Sequence, residues 1–281
     1  AQGHQAPENW PTRRHPHAHP GMPPKQPKCA DGGRRLRVVA LHGTASNSNI
    51  MKFQCGQLRR VLGSDAEWIF PDSKEPYDPE LGRRLLESKA SAGSALRARE
   101  EGQDIYLTRE VSDFERRLAQ GAPLRNWFHI TFQELDGQLL WQTDWESLGR
   151  STELLCGVLE SHAPVDVAVG FSQGCYLLNH LAGVYAGWGL QPPWRLSLQF
   201  SPTPGDTYVP EELRKPVFVI LSPADPTYHR SLAGWSGVFG SDFTLLEHGD
   251  GLAFPSTPPR AQEIYERLAS EVRRHCVEQP A

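Results

Sequence analysis

Val165-Asp166-Val167-Ala168-Val169-Gly170-Phe171-Ser172-Gln173-Gly174-Cys175-Tyr176-Leu177-Leu178 is the stretch on which the reading of this chain turns. Its middle, Gly170 to Gly174, spells G-x-S-x-G. The pattern alone is weak: with Gly and Ser each at about 7% of residues, a chain of this length shows it by chance about one time in ten. Its setting is far more specific. An apolar, β-branched run ends at Val169, and Cys175, Tyr176, Leu177, Leu178 and Leu181 continue with helical spacing. A serine on a tight turn from strand to helix needs small neighbours, which accounts for Gly170 and Gly174. The turn lifts the hydroxyl above the sheet at a helix N-terminus, where the dipole favours developing negative charge. The bland alternative is a buried serine in an incidental glycine-rich turn.

Outward from that point, short apolar runs alternate with helical patterns, the signature of a mainly parallel sheet covered on both faces. Leu36–Leu41 reads as the first strand, Glu67–Phe70 as the second and Val165–Val169 as the third. Leu196–Phe200, Pro216–Leu221 and Phe243–Leu246 complete the set. Thr143 and Glu146 stand at capping-box spacing before a helix patterned by Trp145, Leu148, Leu155, Val158 and Leu159. A last helix begins near Pro258-Pro259 and carries the stripe Ile264, Tyr265, Leu268, Val272. Residues 73–125 interrupt the alternation with charged clusters such as Arg97-Ala98-Arg99-Glu100-Glu101, and Val111, Phe114 and Leu118 form the one amphipathic piece. This insertion reads as a charged helical excursion over one end of the sheet, either a lid or a solvated surface segment.

Further elements point to nucleophilic chemistry. Attack by a serine on an acyl carbon creates an oxyanion that needs two N–H donors. The residue after the serine, Gln173, and the turn Leu41-His42-Gly43-Thr44 after the first strand supply them, through Gln173 and Thr44 N–H. His42 could be taken for a base, but a prop for its own loop is the expected role. Asp225, in the turn after Ile220-Leu221, follows the serine in the order Ser…Asp…His and would orient an imidazole. The plain alternative is a turn-forming Asp before Pro226.

Together these residues resemble the FSH family of serine hydrolases, which has the α/β-hydrolase fold. The resemblance runs from about Arg37 to Pro255 and rests on Leu41-His42-Gly43, Gln54, Arg125-Asn126-Trp127-Phe128, Trp145-Glu146-Ser147-Leu148 and Gly170–Gly174. The last motif is shared with acyl-protein thioesterases. The stretches around Trp127 and Trp145 favour the FSH group. The resemblance implies hydrolysis of small-molecule carboxylic esters or thioesters through an acyl-serine, with no cofactor or metal.

The family pattern after the last strand is His-x-Gly-Gly-His-x-x-Pro, with the second His catalytic. Here the chain reads His248-Gly249-Asp250-Gly251-Leu252-Ala253-Phe254-Pro255, so Leu252 occupies that position. Three readings stay open. His248 serves as base through a reshaped loop, completing a candidate triad Ser172, Asp225, His248. Alternatively, His229 reaches the serine. Or no histidine does, and the fold binds acyl groups or a partner without turnover. The stakes are large: losing the base of such a triad costs about a million-fold in turnover, about 8 kcal/mol.

Composition narrows the rest. Across 281 residues, 29 Lys and Arg against 33 Asp and Glu give a net charge of -4. With basic residues spread and not blocked together, nucleic acid is disfavoured as a partner. The 5 cysteines are odd in number and lack zinc or redox spacing, which suits free thiols in a reducing compartment. No apolar run reaches the roughly 20 residues a transmembrane helix needs. A cytoplasmic location is expected, with organelle targeting as the alternative. The opening Ala1, where a methionine would be usual, suggests a processed or excised piece. Residues 1–34 read as a disordered Pro- and His-rich tail, in which His15, His17 and His19 alternate without a Cys or Glu to complete a metal site. The hydrolase domain is expected over 35–276, with 277–281 as a short tail. Oligomeric state is not legible.

Overall fold

The computed structural model describes residues 35–80, 83–84, 109–135, 138–203, 209–239 and 242–277. The expected tail over 1–34 and about half of the charged insertion, residues 81–82 and 85–108, therefore lie outside the described residues. Six strands form one parallel sheet: β1 (Leu36–Leu41), β2 (Ala66–Ile69), β7 (Val167–Phe171), β8 (Leu196–Phe200), β9 (Val217–Leu221) and β10 (Thr244–Glu247). Their order is β10-β9-β8-β7-β1-β2. Each expected strand exists within about two residues of its expected limits. The largest shift is β7, which runs on to Phe171 because Gly170 and Phe171 pair in register with Gln199 and Phe200. The ladder thus reaches the residue before Ser172. At its other end Asp166 leaves the strand, and its carboxylate accepts the Arg37 N–H at 2.8 Å.

Both faces of the sheet are covered, as near-continuous apolar strands require. Alternate strand residues divide between two cores. On one face Val38, Ala40, Val167 and Val169 meet Met51 of α1 (Ser48–Gln54), Leu58 of α2 (Gly56–Leu62), and Ile264, Leu268 and Val272 of α7 (Arg260–Cys276). On the other, Val39, Leu41 and Ala168 meet Leu148, Leu155 and Leu159 of α4 (Trp145–Ser161) and Leu177, Leu178 and Leu181 of α5 (Gln173–Gly187). Trp235 and Phe239 of α6 (Tyr228–Phe239) cover β9. Burial of one such large apolar side chain contributes about 1.5–3 kcal/mol, so these layers fix the sheet against the helices on both faces.

Several local expectations need correction. The cap of α4 is Asp144, whose carboxylate accepts the Glu146 N–H at 3.3 Å; Thr143 ends a strand instead, and its hydroxyl lies 3.1 Å from the Tyr176 hydroxyl. The amphipathic piece of the insertion becomes α3 (Asp113–Leu118), but Phe114 is exposed against Phe53 and the buried positions are Val111 and Ala119. Two small antiparallel pairs lie outside the strands expected from the sequence. They are β3 (Glu75–Pro76) with β4 (Arg125–Asn126), and the hairpin β5 (Ile130–Leu135) with β6 (Gln138–Thr143).

Candidate active site

Ser172 stands between β7 and α5 with φ 48° and ψ -112°, a backbone that side-chain-bearing residues avoid. Such strain costs about 1–3 kcal/mol and persists only where the surroundings over-determine it. Here they do. Ser172 N–H donates to Phe200 O at 3.0 Å, and the Ser172 carbonyl accepts the first amides of α5 from Cys175 and Tyr176. A Cβ on Gly170 would come within 2.9 Å of the Cys175 backbone, and one on Gly174 within 2.6 Å of the Leu41 carbonyl oxygen. Both motif glycines are therefore required by close backbone approach. Gly43, in the turn after β1, faces the same spot: a Cβ there would lie 2.7 Å from the Phe171 ring and 3.4 Å from Ser172 Cβ.

That turn is held peptide by peptide. His42 is fully buried and stacks on Trp127 at 4.8 Å. Its Nδ1 lies 2.8 Å from Gly43 O, and its Nε2 accepts the Ser73 N–H at 3.4 Å, which fixes the neutral tautomer with the proton on Nδ1. Burial pushes its pKa down to about 4, against the opposing hydrogen bond to Gly43. His42 is thus a neutral prop and not a base. Because the Gly43 carbonyl is held on one side, the trans peptide directs the Thr44 N–H to the other. No acceptor among the described residues meets that N–H, nor the Gln173 N–H, which as the first of α5 has no intrahelical partner. Ala45 N–H donates to Asn126 Oδ1 at 3.1 Å.

The Gln173 side chain has a second task. Its Oε1 accepts the Trp127 N–H at 2.6 Å and its Nε2 donates to Phe128 O at 2.8 Å, binding the 127–128 segment to the serine turn. Trp127 Nε1 in turn donates to His42 O at 2.8 Å. The contribution of Asn126, Trp127 and the Gln173 side chain to this frame was not readable from spacing, because they meet only through long-range backbone contacts.

The opposite side of the site is less complete. Asp225 lies in the turn after β9, buried, with Oδ1 accepting both the Thr227 N–H and hydroxyl at 2.8 Å. Its Oδ2 is buried and has no partner among the described residues. His248 directly follows β10, where its N–H donates to Leu221 O at 3.1 Å and extends the pairing with β9. Its Nδ1 lies 3.3 Å from Asp250 Oδ2 and 3.2 Å from Asp250 N, while the buried Nε2 is unmet among the described residues. Burial holds the His248 pKa below its ordinary value, countered by Asp250 and by the charge of Asp225. Burial also opposes ionisation of Asp250, but hydrogen bonds from Thr257 and Ser256 outweigh it and hold this carboxyl far below its usual range.

No hydrogen bond joins Ser172, Asp225 and His248 among the described residues. β10 is separated from β7 by β9 and β8, and three steps of about 4.8 Å put His248 about 14 Å across the sheet, several times hydrogen-bond reach. The loop after His248 does return. Gly251 N–H donates to Ser222 Oγ at 3.0 Å, beside the Asp225 turn, and Phe254 stacks on Phe200 at 4.2 Å and Phe171 at 5.2 Å, beside Ser172. Leu252 falls in the chain between these two anchored residues. His229, at the start of α6, is exposed and packs edge-on to Tyr228.

A six-stranded parallel sheet with a strained serine turn at the carboxyl end of a central strand defines an α/β-hydrolase. Solved structures agree on the fold. An acyl-protein thioesterase 2 from Zea mays matches with TM-score 0.50 at 17% identity, over 87% of this chain and 97% of the other. A single-substitution variant of SOBER1 from Arabidopsis thaliana matches with TM-score 0.50 at 14% identity, over 86% and 99%. The chain belongs to the serine hydrolase (FSH1) family, whose model matches residues 33–203. The matched segment contains Thr44 and Ser172 and ends before Asp225 and Leu252. Among curated relatives, a rhodanese-like domain-containing protein 6 of Arabidopsis thaliana is 26% identical over 164 residues, 57% of this chain and 25% of that protein. An uncharacterized hydrolase of Schizosaccharomyces pombe is 24% identical over 172 residues, 59% of this chain and 34% of its own. The chain thus spans about a quarter to a third of the length of these relatives. Within the described residues no helix is long and apolar enough to cross a membrane.

Proposed function

We propose that this chain acts on small-molecule carboxylic esters or thioesters by forming an acyl-serine at Ser172. The observation that carries the reading is the serine itself. It is a nucleophile elbow, strained at φ 48°, with the unshared N–H groups of Thr44 and Gln173 in the two turns that frame it. In this scheme Ser172 Oγ attacks the acyl carbon, the two N–H groups hold the oxyanion, and the alcohol or thiol leaves. Water then releases the acid. Ser172's proton passes to His248, whose Nε2 is unmet, and from there to the leaving alcohol or thiol, and the same imidazole then takes the proton of the attacking water; this needs a reshaped loop after β10 to bring His248 across, with Asp225 supporting the charged imidazole. Membership of a serine hydrolase family and similarity to a hydrolase of Schizosaccharomyces pombe favour this class of reaction.

A second reading is favoured by Leu252 and by the unmet Asp225 Oδ2: the site accepts an acyl group but lacks a base in reach, so it binds without efficient turnover. Hydrolysis of a short-chain p-nitrophenyl ester by wild type beside Ser172→Ala separates the two. Turnover that vanishes in the variant supports the esterase. Equal background rates from two folded proteins support the binding protein.

A further inference from the structure

We propose that Arg109 is a positioning residue that holds the Thr44 turn in shape and ties it to α3; the proposal rests on the reading of Ser172 as nucleophile and Thr44 N–H as oxyanion donor. Ala45, buried and next to Thr44, has φ 53°, the left-handed region that favours glycine. An alanine keeps such a backbone only if its peptides are held on both sides. The N–H of Ala45 is held by Asn126. The carbonyls are held by one guanidinium: Arg109 Nη1 donates to Thr44 O at 2.8 Å and to Ala45 O at 3.3 Å.

The guanidinium is itself fixed. Arg109 Nη2 forms an ion pair with Glu115, and the Arg109 carbonyl accepts the Tyr77 hydroxyl. Glu115 closes a capping box at the start of α3: its Oε2 accepts the Ser112 N–H at 3.0 Å and its backbone N–H donates to Ser112 Oγ at 3.2 Å. Burial would raise the Glu115 pKa, but Arg109's charge and the Ser112 hydrogen bonds keep it below its ordinary value. The route is continuous: α3, Glu115, Arg109, the Thr44–Ala45 peptide, and then the N–H that faces the serine turn. Ser112-x-x-Glu115 is visible in the sequence as a capping box and marks where this anchor sits, although nothing local announces the reach of Arg109 to Thr44.

The test uses the full chain and two readouts: hydrogen exchange of the 42–47 segment, and the rate at which a fluorophosphonate labels Ser172. Labelling forms a Ser Oγ–P bond with loss of fluoride and draws on the same oxyanion donors. In Arg109→Met, exchange of 42–47 should rise about tenfold while that of β7 and β8 stays put, and labelling should slow about tenfold, part of the hundredfold or more that loss of a whole donor costs. Arg109→Lys should fall between. In the Arg109→Met background, Ala45→Gly should recover labelling, because glycine takes a φ near 53° without strain; a role in packing alone gives no recovery. Should Arg109→Met fail to fold, Glu115→Gln, which loosens the guanidinium without removing it, should show the same pattern more weakly. Unchanged exchange of 42–47, or faster exchange with unchanged labelling, overturns the proposal. A wild type that is never labelled, with exchange still raised in the variant, overturns the chemistry at Ser172 while supporting the Arg109 clamp.

Discussion

The turn that carries Ser172 and the loop that follows β10 lie at the same end of one sheet, yet they treat their polar groups in opposite ways. Around Ser172, His42, Asn126 and Gln173 each hold a named peptide, and the N–H groups of Thr44 and Gln173 are left without an acceptor among the described residues. Around Asp225, a carboxylate oxygen and an imidazole nitrogen are both buried and unmet among the described residues. A buried polar atom without a partner costs about 1–3 kcal/mol, so such a pair is not neutral detail. On the proposed reading, the contrast separates the half that would hold an acyl group from the half that would move a proton, and the family's histidine position in the second half is Leu252.

Restoring the imidazole is the sharpest way to break that contrast. If no histidine reaches Ser172, Leu252→His should raise kcat/KM on a p-nitrophenyl ester by at least about a hundredfold, out of the million-fold that a missing base can cost, whereas a working His248 predicts little gain. The gain should disappear in Leu252→His/Ser172→Ala. No gain in a folded variant of an inactive parent would count against Leu252 as the position of the missing base. In the Leu252→His background, Asp225→Ala should then cost at least tenfold of that gain, since an imidazole without its carboxylate loses orientation and charge support.

The elbow side predicts stability effects instead. Gln173→Ala leaves the Trp127 N–H and Phe128 O unmet and should destabilise by about 2–4 kcal/mol in denaturant titration. A loss under 0.5 kcal/mol would mean that the 127–128 segment is held by packing. Acid should weaken the same side. A His42 pKa lowered to about 4 from 6.5 means that the unfolded chain binds the proton first as pH falls. Stability should therefore decline from about pH 6.5 to about pH 4, by up to a few kcal/mol, and His248, shifted in the same direction, adds to it. A His42→Asn variant should show a flatter profile. The smallest effect is relief of strain: Ser172→Gly, free to take φ 48°, should gain about 1 kcal/mol.

The frame was legible in the sequence because its signals are local. Val165–Leu178 states a strand, a turn and a helix within one window, and the order of apolar runs gives the parallel sheet. The tight turn at Ser172 and the need for small residues at Gly170 and Gly174 follow from that window alone. The His42 prop was legible from its position beside Gly43. What stayed hidden is long-range. Gln173 reaches Trp127 across 46 positions and Arg109 reaches Thr44 across 65, and no periodicity encodes either. The hairpin over 130–143 was missed although its signal is local: Asp136-Gly137 between two strand-like runs is a dipeptide that favours a two-residue hairpin turn. Asp225 and His248 could be nominated from chain order, but which oxygen or nitrogen is met depends on the side-chain geometry of a loop.

The fit of Gly174 against β1 has a mechanical consequence. With the Leu41 and His42 carbonyl oxygens both within 2.7 Å of where a Cβ would stand, α5 and the turn after β1 have no room to slide past each other. The two amides that frame Ser172 therefore behave as the fixed jaw of a vice, of constant spacing whatever occupies it.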